Sequence, residues 1–257
     1  MPILAFHNID EGIYPGINTY SPTRFRSLIS VLIDHGFRFV RLSEVTPGNN
    51  DDNQIAITFD DGYESFHRHV AEILADYSIP ATIFMPAGYI GKSNSWDYGS
   101  IFRKSFHLSA VQIRELVSSG VEFGSHGLTH TTLVNLGDRM LRIELERSKT
   151  MLEDITGRRV NFLSYPFGRF SKRVEECGFG VGYLKGFSLS HFGKKYAGFT
   201  MPRSAIYLID TPYSVFRKIS GGAGPMIERS KGAIINSYAS CTIWLNRLRM
   251  PARELGF

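Results

Sequence analysis

The sequence contains few cysteines and no long apolar run. Its two cysteines, Cys177 and Cys241, are too few for a disulfide framework and stand in no metal-ligand spacing. No segment approaches the roughly 20 apolar residues that span a bilayer, and residues 1–20 lack the basic start and apolar core of a secretory signal. These absences exclude disulfide-rich and membrane-spanning classes, and we expect a cytoplasmic protein.

The sequence also lacks concentrated charge, internal repeats and low-complexity tracts. The 257 residues carry a formal net charge of +5, but the basic residues are scattered and accompany no recognisable nucleic-acid-binding module. We therefore expect no nucleic-acid partner. With 43% apolar residues, the chain is long and apolar enough to bury one large core.

Short apolar runs alternate with segments of helical periodicity. Ser21 before Pro22 predicts one helix start, Ser109 with Gln112 predicts a capping box, and Gly157 ends a long helix. Strands are predicted for residues 2–6, 37–41, 54–59, 81–85, 121–124 and 161–165. Alternating β and α units predict a parallel sheet, either doubly wound or closed into a barrel.

Residues 220–225 are the clearest linker, because glycine and proline dominate them. They divide the chain into a main domain, 1–219, and a linker with a C-terminal helical extension, 220–257. Residues 226–250 fit one helix with arginines near its end. Three interpretations of this helix stay open: docking on the domain, contact with a membrane surface, and an interface with a partner protein.

One predicted strand, 54–59, leads directly into Asp60, Asp61 and Gly62. Adjacent carboxylates repel each other, so both stay ionised only when a positive group lies beside them. A solvated turn is the alternative for this stretch alone, since aspartate and glycine are common turn residues.

A second strand leads into two histidines, His126 and His130. If the residues after the strand form a helical turn, this spacing puts both imidazoles on one side, where they can share a divalent cation. Two surface imidazoles are the alternative for the pair alone. Combined with an aspartate from another strand end, they form a set typical of a catalytic zinc or a similar transition metal.

Two further stretches follow predicted strands. Tyr165, Pro166, Phe167 and Gly168 come after one strand, and His7 comes directly after the first. Active sites of barrels are assembled from the loops at the carboxyl ends of the strands. We therefore expect all of these stretches to meet on one rim.

These motifs resemble those of a known family. Residues 58–62, 125–130 and 165–168 are similar to the first three motifs of the polysaccharide deacetylase family, also called the NodB-homology or carbohydrate esterase 4 family. The resemblance covers residues 2–206. It implies a distorted (β/α)7 barrel of the polysaccharide deacetylase type that hydrolyses N-acetyl groups of a sugar.

The resemblance assigns roles by position. Asp61, His126 and His130 would bind one divalent metal ion, zinc first, with cobalt, nickel, manganese or iron as alternatives. Asp60 would be the general base, and the backbone N–H of Phe167 would stabilise the oxyanion.

Three residues are candidates for contact with the carbohydrate substrate. Tyr165 and Pro166 belong to the third motif, and Trp96 lies in an aromatic stretch before the second. An aromatic ring can stack on a sugar face, and core packing is the alternative for Trp96.

The third motif departs from the family pattern. Ser164 stands where the family has an arginine that orients the aspartate base. Arg203, expected after the barrel elements, is the candidate replacement because arginine pairs well with a carboxylate. A surface charge is the alternative for Arg203.

The family's late Leu-x-x-His pattern, which supplies the general acid, is missing as well. A circularly permuted branch, resembling the poly-N-acetylglucosamine deacetylases, has this histidine near the start of the chain, as His7 is here. His7 is therefore favoured as the acid, with His191 as the acid and a buried structural histidine as the two alternatives. His35, His67, His69 and His107 are expected to be solvated.

The sequence thus predicts a metal-dependent N-deacetylase acting on a glycan or glycoconjugate that contains N-acetylhexosamine. A hydrolase of small non-sugar amides on the same fold and an inactive carbohydrate-binding relative remain the alternatives. The presence of Asp60, Asp61, His126 and His130 argues against the inactive relative.

Overall fold

The computed structural model describes residues 1–12, 17–45, 53–96, 104–189 and 198–220. Ten strands lie in these ranges. In chain order they are β1 (Ile3–Phe6), β2 (Asn8–Ile9), β3 (Thr19–Tyr20), β4 (Arg38–Phe39), β5 (Gln54–Phe59), β6 (Thr82–Met85), β7 (Glu122–Ser125), β8 (Phe162–Ser164), β9 (Lys185–Leu189) and β10 (Thr200–Ala205).

Seven parallel strands close into a barrel. Their order is β1, β10, β9, β8, β7, β6 and β5, and pairing of β1 with β5 closes the ring, with Ile3 opposite Ala56 and Phe6 opposite Phe59. Strand β4 pairs with the start of β5, and β2 pairs with β3 in a separate small sheet. The predicted (β/α)7 barrel is confirmed.

Six α-helices accompany these strands. The predicted capping box at Ser109 and Gln112 is present, Ser21 caps the first helix, and Gly157 ends the longest one with a φ of 64°. The helices are α1 (Pro22–Asp34), α2 (Ala71–Asp76), α3 (Ala110–Ser118), α4 (Asp138–Thr156), α5 (Lys172–Val181) and α6 (Pro212–Ile219).

The barrel interior has an apolar layer and a polar layer. Ile3, Ala56, Phe84 and Phe187, from four different strands, form a buried cluster. Side chains alternate along a strand, so the side chain of Thr58 lies on the same face of β5 as Ala56, and Asp60 follows it at the strand end. The polar layer therefore lies at the carboxyl ends of the strands.

Sequence patterns did not predict β9 and β10. Strand β9 contains Gly186 and Ser188, and β10 contains Pro202 and Arg203, so neither reads as an apolar run. Arg203 was expected to follow the barrel elements, which is wrong. It lies inside β10, where barrel closure rather than local preference determines the strand.

The predicted extension lies almost wholly outside the described residues. Helix α6 ends at Ile219, and the description ends at Ser220, so a contact of residues 226–250 with a membrane or a protein stays a prediction. Among the residues that the structure describes, no helix has the length and apolar character needed to cross a membrane.

Gly186 is required where β9 crosses a buried tyrosine. A Cβ atom at this position would lie 2.0 Å from the hydroxyl oxygen of Tyr165, so Gly186→Val should destabilise the protein by about 1–3 kcal/mol through overpacking. Gly180→Ala, on exposed α5 with open space around it, should instead stabilise by roughly 0.5–1 kcal/mol. Urea unfolding measures both, and equal stability of the two variants would contradict the prediction.

Candidate active site

A buried ion pair joins Asp60 and Arg203 at the mouth of the barrel. Nη1 and Nη2 of Arg203 each donate to one carboxylate oxygen of Asp60 at 2.7 Å, and both residues are at most 2% exposed. Nη1 also donates to the hydroxyl of Thr58, and the guanidinium lies 4.9 Å from the ring centre of Phe84. This bidentate geometry fixes the plane of the carboxylate.

Ser164 belongs to the same network. Its hydroxyl accepts a hydrogen bond from Nη2 of Arg203 at 2.6 Å and donates to Asp60 at 3.3 Å. The small serine at the end of β8 therefore leaves room for a guanidinium that comes from β10. Of the two interpretations of Arg203, pairing with the aspartate is the one that the contacts support, and a surface charge is wrong because Arg203 is buried.

Charge neighbours keep Asp60 ionised. Burial by itself would raise the pKa of the Asp60 carboxyl, but Arg203 and then His126 hold the pKa below its ordinary value. The carboxylate is consequently available as a proton acceptor at neutral pH.

Three ligand groups converge beside this pair. One side-chain atom from each of Asp61, His126 and His130 lies within 4.8 Å of the others, and all three residues are buried. Asp61 Oδ1 is 3.1 Å from Nε2 of His130 and 3.5 Å from Nε2 of His126, yet it has no hydrogen-bond partner among the described residues. A buried carboxylate oxygen without a donor, facing two imidazoles, fits a divalent cation.

His126 meets the protonation requirement for a metal ligand. His126 donates from Nδ1 to the carbonyl of Ser164 at 2.8 Å, which leaves Nε2 with a free lone pair. Burial lowers the pKa of His126 to about 4, so the ring is neutral near pH 7. For Asp61, burial is the largest single influence and raises the pKa, but His130, His7 and His126 together outweigh it and hold the pKa below its usual range.

Left-handed backbone is concentrated at the site. Asp61, His130 and Phe167 have φ values of 68°, 57° and 59°, and among the described non-glycine residues only Ser78 shares this conformation. Non-glycine residues adopt this conformation only when surrounding contacts impose it. Helix formation did not bring the two histidines together, because a short irregular loop, not a helical turn, connects them.

Glu144 of α4 holds that loop. Its Oε1 accepts from the backbone N–H groups of Leu128 and Thr129 at 2.9 and 2.6 Å, and from the Thr129 hydroxyl. Ser148, one turn further along α4, donates to the carbonyl of Gly127 at 2.9 Å. No sequence motif marks Glu144, although its position on the buried face of a leucine-lined helix was a usable signal.

His7 lies next to Asp60. Because Phe6 pairs with Phe59, His7 and Asp60 leave adjacent strands at the same level, and the backbone N–H of Asp60 donates to the Phe6 carbonyl at 2.8 Å. The imidazole of His7 is half-buried. Its Nδ1 atom is buried and has no hydrogen-bond partner in the described ranges. His191 lies outside the described residues, so its alternative role is not tested.

The third motif forms a tight turn against the ligand loop. Pro166–Gly168 is a single 3-10 turn after β8, and the Phe167 ring centre lies 4.8 Å from that of His130. No described backbone carbonyl accepts a hydrogen bond from the N–H of Phe167. Pro166 is buried beside Gly127, so it supports the loop.

Trp96 and Tyr165 do not present free rings to a substrate. Trp96 is 8% exposed, and its ring lies nearly parallel to that of His130 at 4.2 Å, so the packing favours the core interpretation over a stacking surface for a sugar. Tyr165 is 1% exposed, and its hydroxyl shares a hydrogen bond with Thr200. Its ring therefore has no exposed face for stacking, and the contact of Tyr165 with a substrate stays a prediction.

His107 was expected to be solvated, which is wrong as well. It is 2% exposed, and its Nδ1 donates to the backbone carbonyl of Asp61 at 2.8 Å. No motif in the sequence marks this histidine, because its neighbours in the chain carry no recognisable pattern.

The family follows from comparison with known proteins. The family model described as Polysaccharide deacetylase matches residues 47–183, which is more than half of the chain. The chain belongs to the polysaccharide deacetylase family. The matched range contains Asp60, Asp61, His126 and His130 and ends before β9, so it does not include Arg203.

Individual relatives are distant. YxkH of Bacillus subtilis strain 168 is 27% identical over 191 residues, which cover 72% of this chain and 63% of YxkH. A poly-beta-1,6-N-acetyl-D-glucosamine N-deacetylase of Staphylococcus aureus is 26% identical over 58% of this chain and 53% of its own length. The chain thus spans between half and two thirds of these curated relatives.

The solved structure of IcaB from Ammonifex degensii has the same fold. It is 22% identical and aligns with a TM-score of 0.71 over 86% of this chain and 97% of that chain. This likeness supports the barrel and says nothing about substrate.

The site predicts a clear division between metal ligands and the neighbouring aspartate. His126→Ala removes one of three ligand groups and should lose the metal on dialysis, whereas Asp60→Asn removes none and should retain about one divalent ion per chain. Elemental analysis after dialysis measures both, with His67→Ala, outside the ligand group, as the control. Equal metal loss from His126→Ala and Asp60→Asn would contradict the assignment.

Proposed function

We propose that the protein is a metal-dependent hydrolase that removes N-acetyl groups from a glycan or glycoconjugate containing N-acetylhexosamine. One observation carries the proposal: an ionised, arginine-paired Asp60 lies directly beside a buried Asp61, His126 and His130 group. A base next to a cation site is what hydrolysis of an unreactive amide needs.

Asp61, His126 and His130 would hold the metal through one carboxylate oxygen and two Nε2 atoms. Zinc is proposed because two imidazoles and a carboxylate are a common donor set for catalytic zinc. Cobalt, nickel, manganese and iron remain alternatives, since they also bind some of these ligand types. When bound, such a cation polarises a carbonyl and lowers the pKa of a bound water from 15.7 towards about 7–9.

Asp60 takes the proton from the attacking water. Its two oxygens are held by the two terminal nitrogens of Arg203, so the carboxylate does not rotate towards Asp61. A base held in one orientation avoids the entropic cost of ordering it at each turnover.

His7 supplies the proton that the leaving amine requires, since expulsion of an amine anion is prohibitive. This role is supported by the position of His7, which directly follows β1 and lies beside Asp60 at the end of the adjacent strand β5. The backbone N–H of Phe167 stabilises the tetrahedral oxyanion, because it has no described backbone acceptor and lies on the turn that packs against His130.

The carbohydrate is an N-acetylglucosamine polymer or a conjugate of it. The name of the Staphylococcus aureus relative supports this class, and the family membership of the chain supports carbohydrate in general. Neither Trp96 nor Tyr165 offers a ring for stacking, so recognition would use other surfaces around the rim.

Acetate release tests the proposal. The metal-loaded protein should release acetate from N-acetylglucosamine oligomers, a chelator should stop the release, and added zinc should restore it. Asp60→Asn should reduce the rate by about 10²–10⁴-fold because it removes the base. Release from small non-sugar amides alone would favour the alternative hydrolase, and metal-loaded protein without release from any acetylated sugar would contradict the proposal.

The pH profile tests the role of Arg203. Without its cation, burial dominates and the pKa of Asp60 rises, so the base is protonated at higher pH. Arg203→Met should therefore move the acidic limb of kcat/KM to higher pH, and Arg203→Lys, which keeps the charge but not the two-pronged contact, should move it less. An acidic limb unchanged in Arg203→Met, measured where circular dichroism shows folded protein, would contradict this role.

A further inference from the structure

The backbone after β5 makes two consecutive left-handed steps at a metal-ligand candidate. Asp61 has a φ of 68° and Gly62 a φ of 57°. The turn also packs closely against β6, since a Cβ on Gly62 would lie 2.1 Å from the sulfur of Met85. Asp61 must hold this strained conformation for its carboxylate to face His126 and His130.

A short segment before α3 holds this turn. The backbone N–H of Leu108 donates to the carbonyl of Gly62 at 2.9 Å, and the N–H of Glu64 donates to the carbonyl of Phe106 at 2.8 Å. The carbonyl of Asp61 is bound differently, by a side chain: Nδ1 of His107 at 2.8 Å. The imidazole thus supplies the hydrogen bond at the most strained residue of the turn.

The protonation and orientation of His107 suit this contact. A carbonyl oxygen only accepts, so Nδ1 of His107 carries a proton and donates it to the carbonyl of Asp61, and Nε2 has no partner in the described part of the chain. The rings of Tyr63 and Trp96, at 5.1 and 4.8 Å between centres, fix the imidazole plane.

We propose that His107 is a positioning residue that holds the metal ligand Asp61 in its left-handed conformation by donating a hydrogen bond to the Asp61 carbonyl. The inference rests on the metal site of the proposed function, but not on the substrate or on deacetylation. Without the donor, the buried carbonyl is unsatisfied and the turn is free to relax, which moves the carboxylate away from the two imidazoles.

Two polar variants of similar size, His107→Asn and His107→Gln, separate the effect of the hydrogen bond to the Asp61 carbonyl from the effect of packing. The side-chain amide of Asn reaches the place of Nδ1, whereas that of Gln reaches the place of Nε2. His107→Asn should therefore keep zinc affinity within a few-fold of the natural protein, and His107→Gln should weaken it by roughly 10–100-fold. Competition with a chromophoric chelator measures both, and His67→Gln, at a histidine outside the ligand group, is the control.

A third variant, His107→Phe, tests whether His107 acts only by filling space and guards against variants that fail to fold. His107→Phe keeps an aromatic ring between Tyr63 and Trp96 but lacks the donor, so it should bind zinc as weakly as His107→Gln. With cobalt in place of zinc, the visible spectrum of His107→Asn should match the natural protein, and those of His107→Gln and His107→Phe should change. Equal affinities of His107→Asn and His107→Gln, or normal affinity of His107→Phe, would overturn the proposal.

These measurements use no substrate, so they are independent of the deacetylase assay. If the natural protein binds zinc but releases no acetate, the proposed function fails and the role of His107 is still decided by the zinc affinities. If zinc affinity does not depend on a hydrogen-bond donor at position 107, the proposed role of His107 is wrong, whether or not the protein releases acetate.

Discussion

The buried ion pair between Arg203 and Asp60 is the interaction on which the site depends. Taking two charges out of water is costly, and the cost is recovered only when the contact geometry is good and the remaining donors are bound. Both terminal nitrogens of Arg203 meet Asp60, and they also reach Thr58 and Ser164. The pair thus keeps an ionised carboxylate within a closed barrel, and each of its members would be unstable there alone.

Strain near the site is matched by specific contacts. Asp61 and His130, both left-handed, each lie beside a buried polar group that no catalytic motif contains: His107 binds the Asp61 carbonyl, and Glu144 binds the two residues before His130. Such groups are costly to bury unless they are hydrogen-bonded. The backbone of both ligand candidates is therefore supported by hydrogen bonds from outside the motifs.

The parallel sheet and the motif residues were predictable from the sequence because their signals are local, whereas the barrel came from the family resemblance of those motifs. Strand β5 reads as an apolar run that ends in Asp60 and Asp61, and residues 121–130 repeat that layout. The position of Arg203, the burial of His107 and the covered ring of Trp96 were not predictable in this way. Each depends on contacts between distant segments, which the closure of the barrel creates and no local pattern encodes.

The position of Arg203 also bears on how sequences of this fold are compared. The carboxylate of Asp60 needs a guanidinium at one point inside the barrel, and more than one strand can supply it. Here it comes from Arg203, which is 143 positions away from Asp60 in the sequence. Ser164 at the end of β8 therefore leaves the space, and Arg203 on β10, with β9 between the two strands, supplies the charge. A motif search that requires an arginine before Tyr165 would classify this chain as defective, although the charge is present and paired.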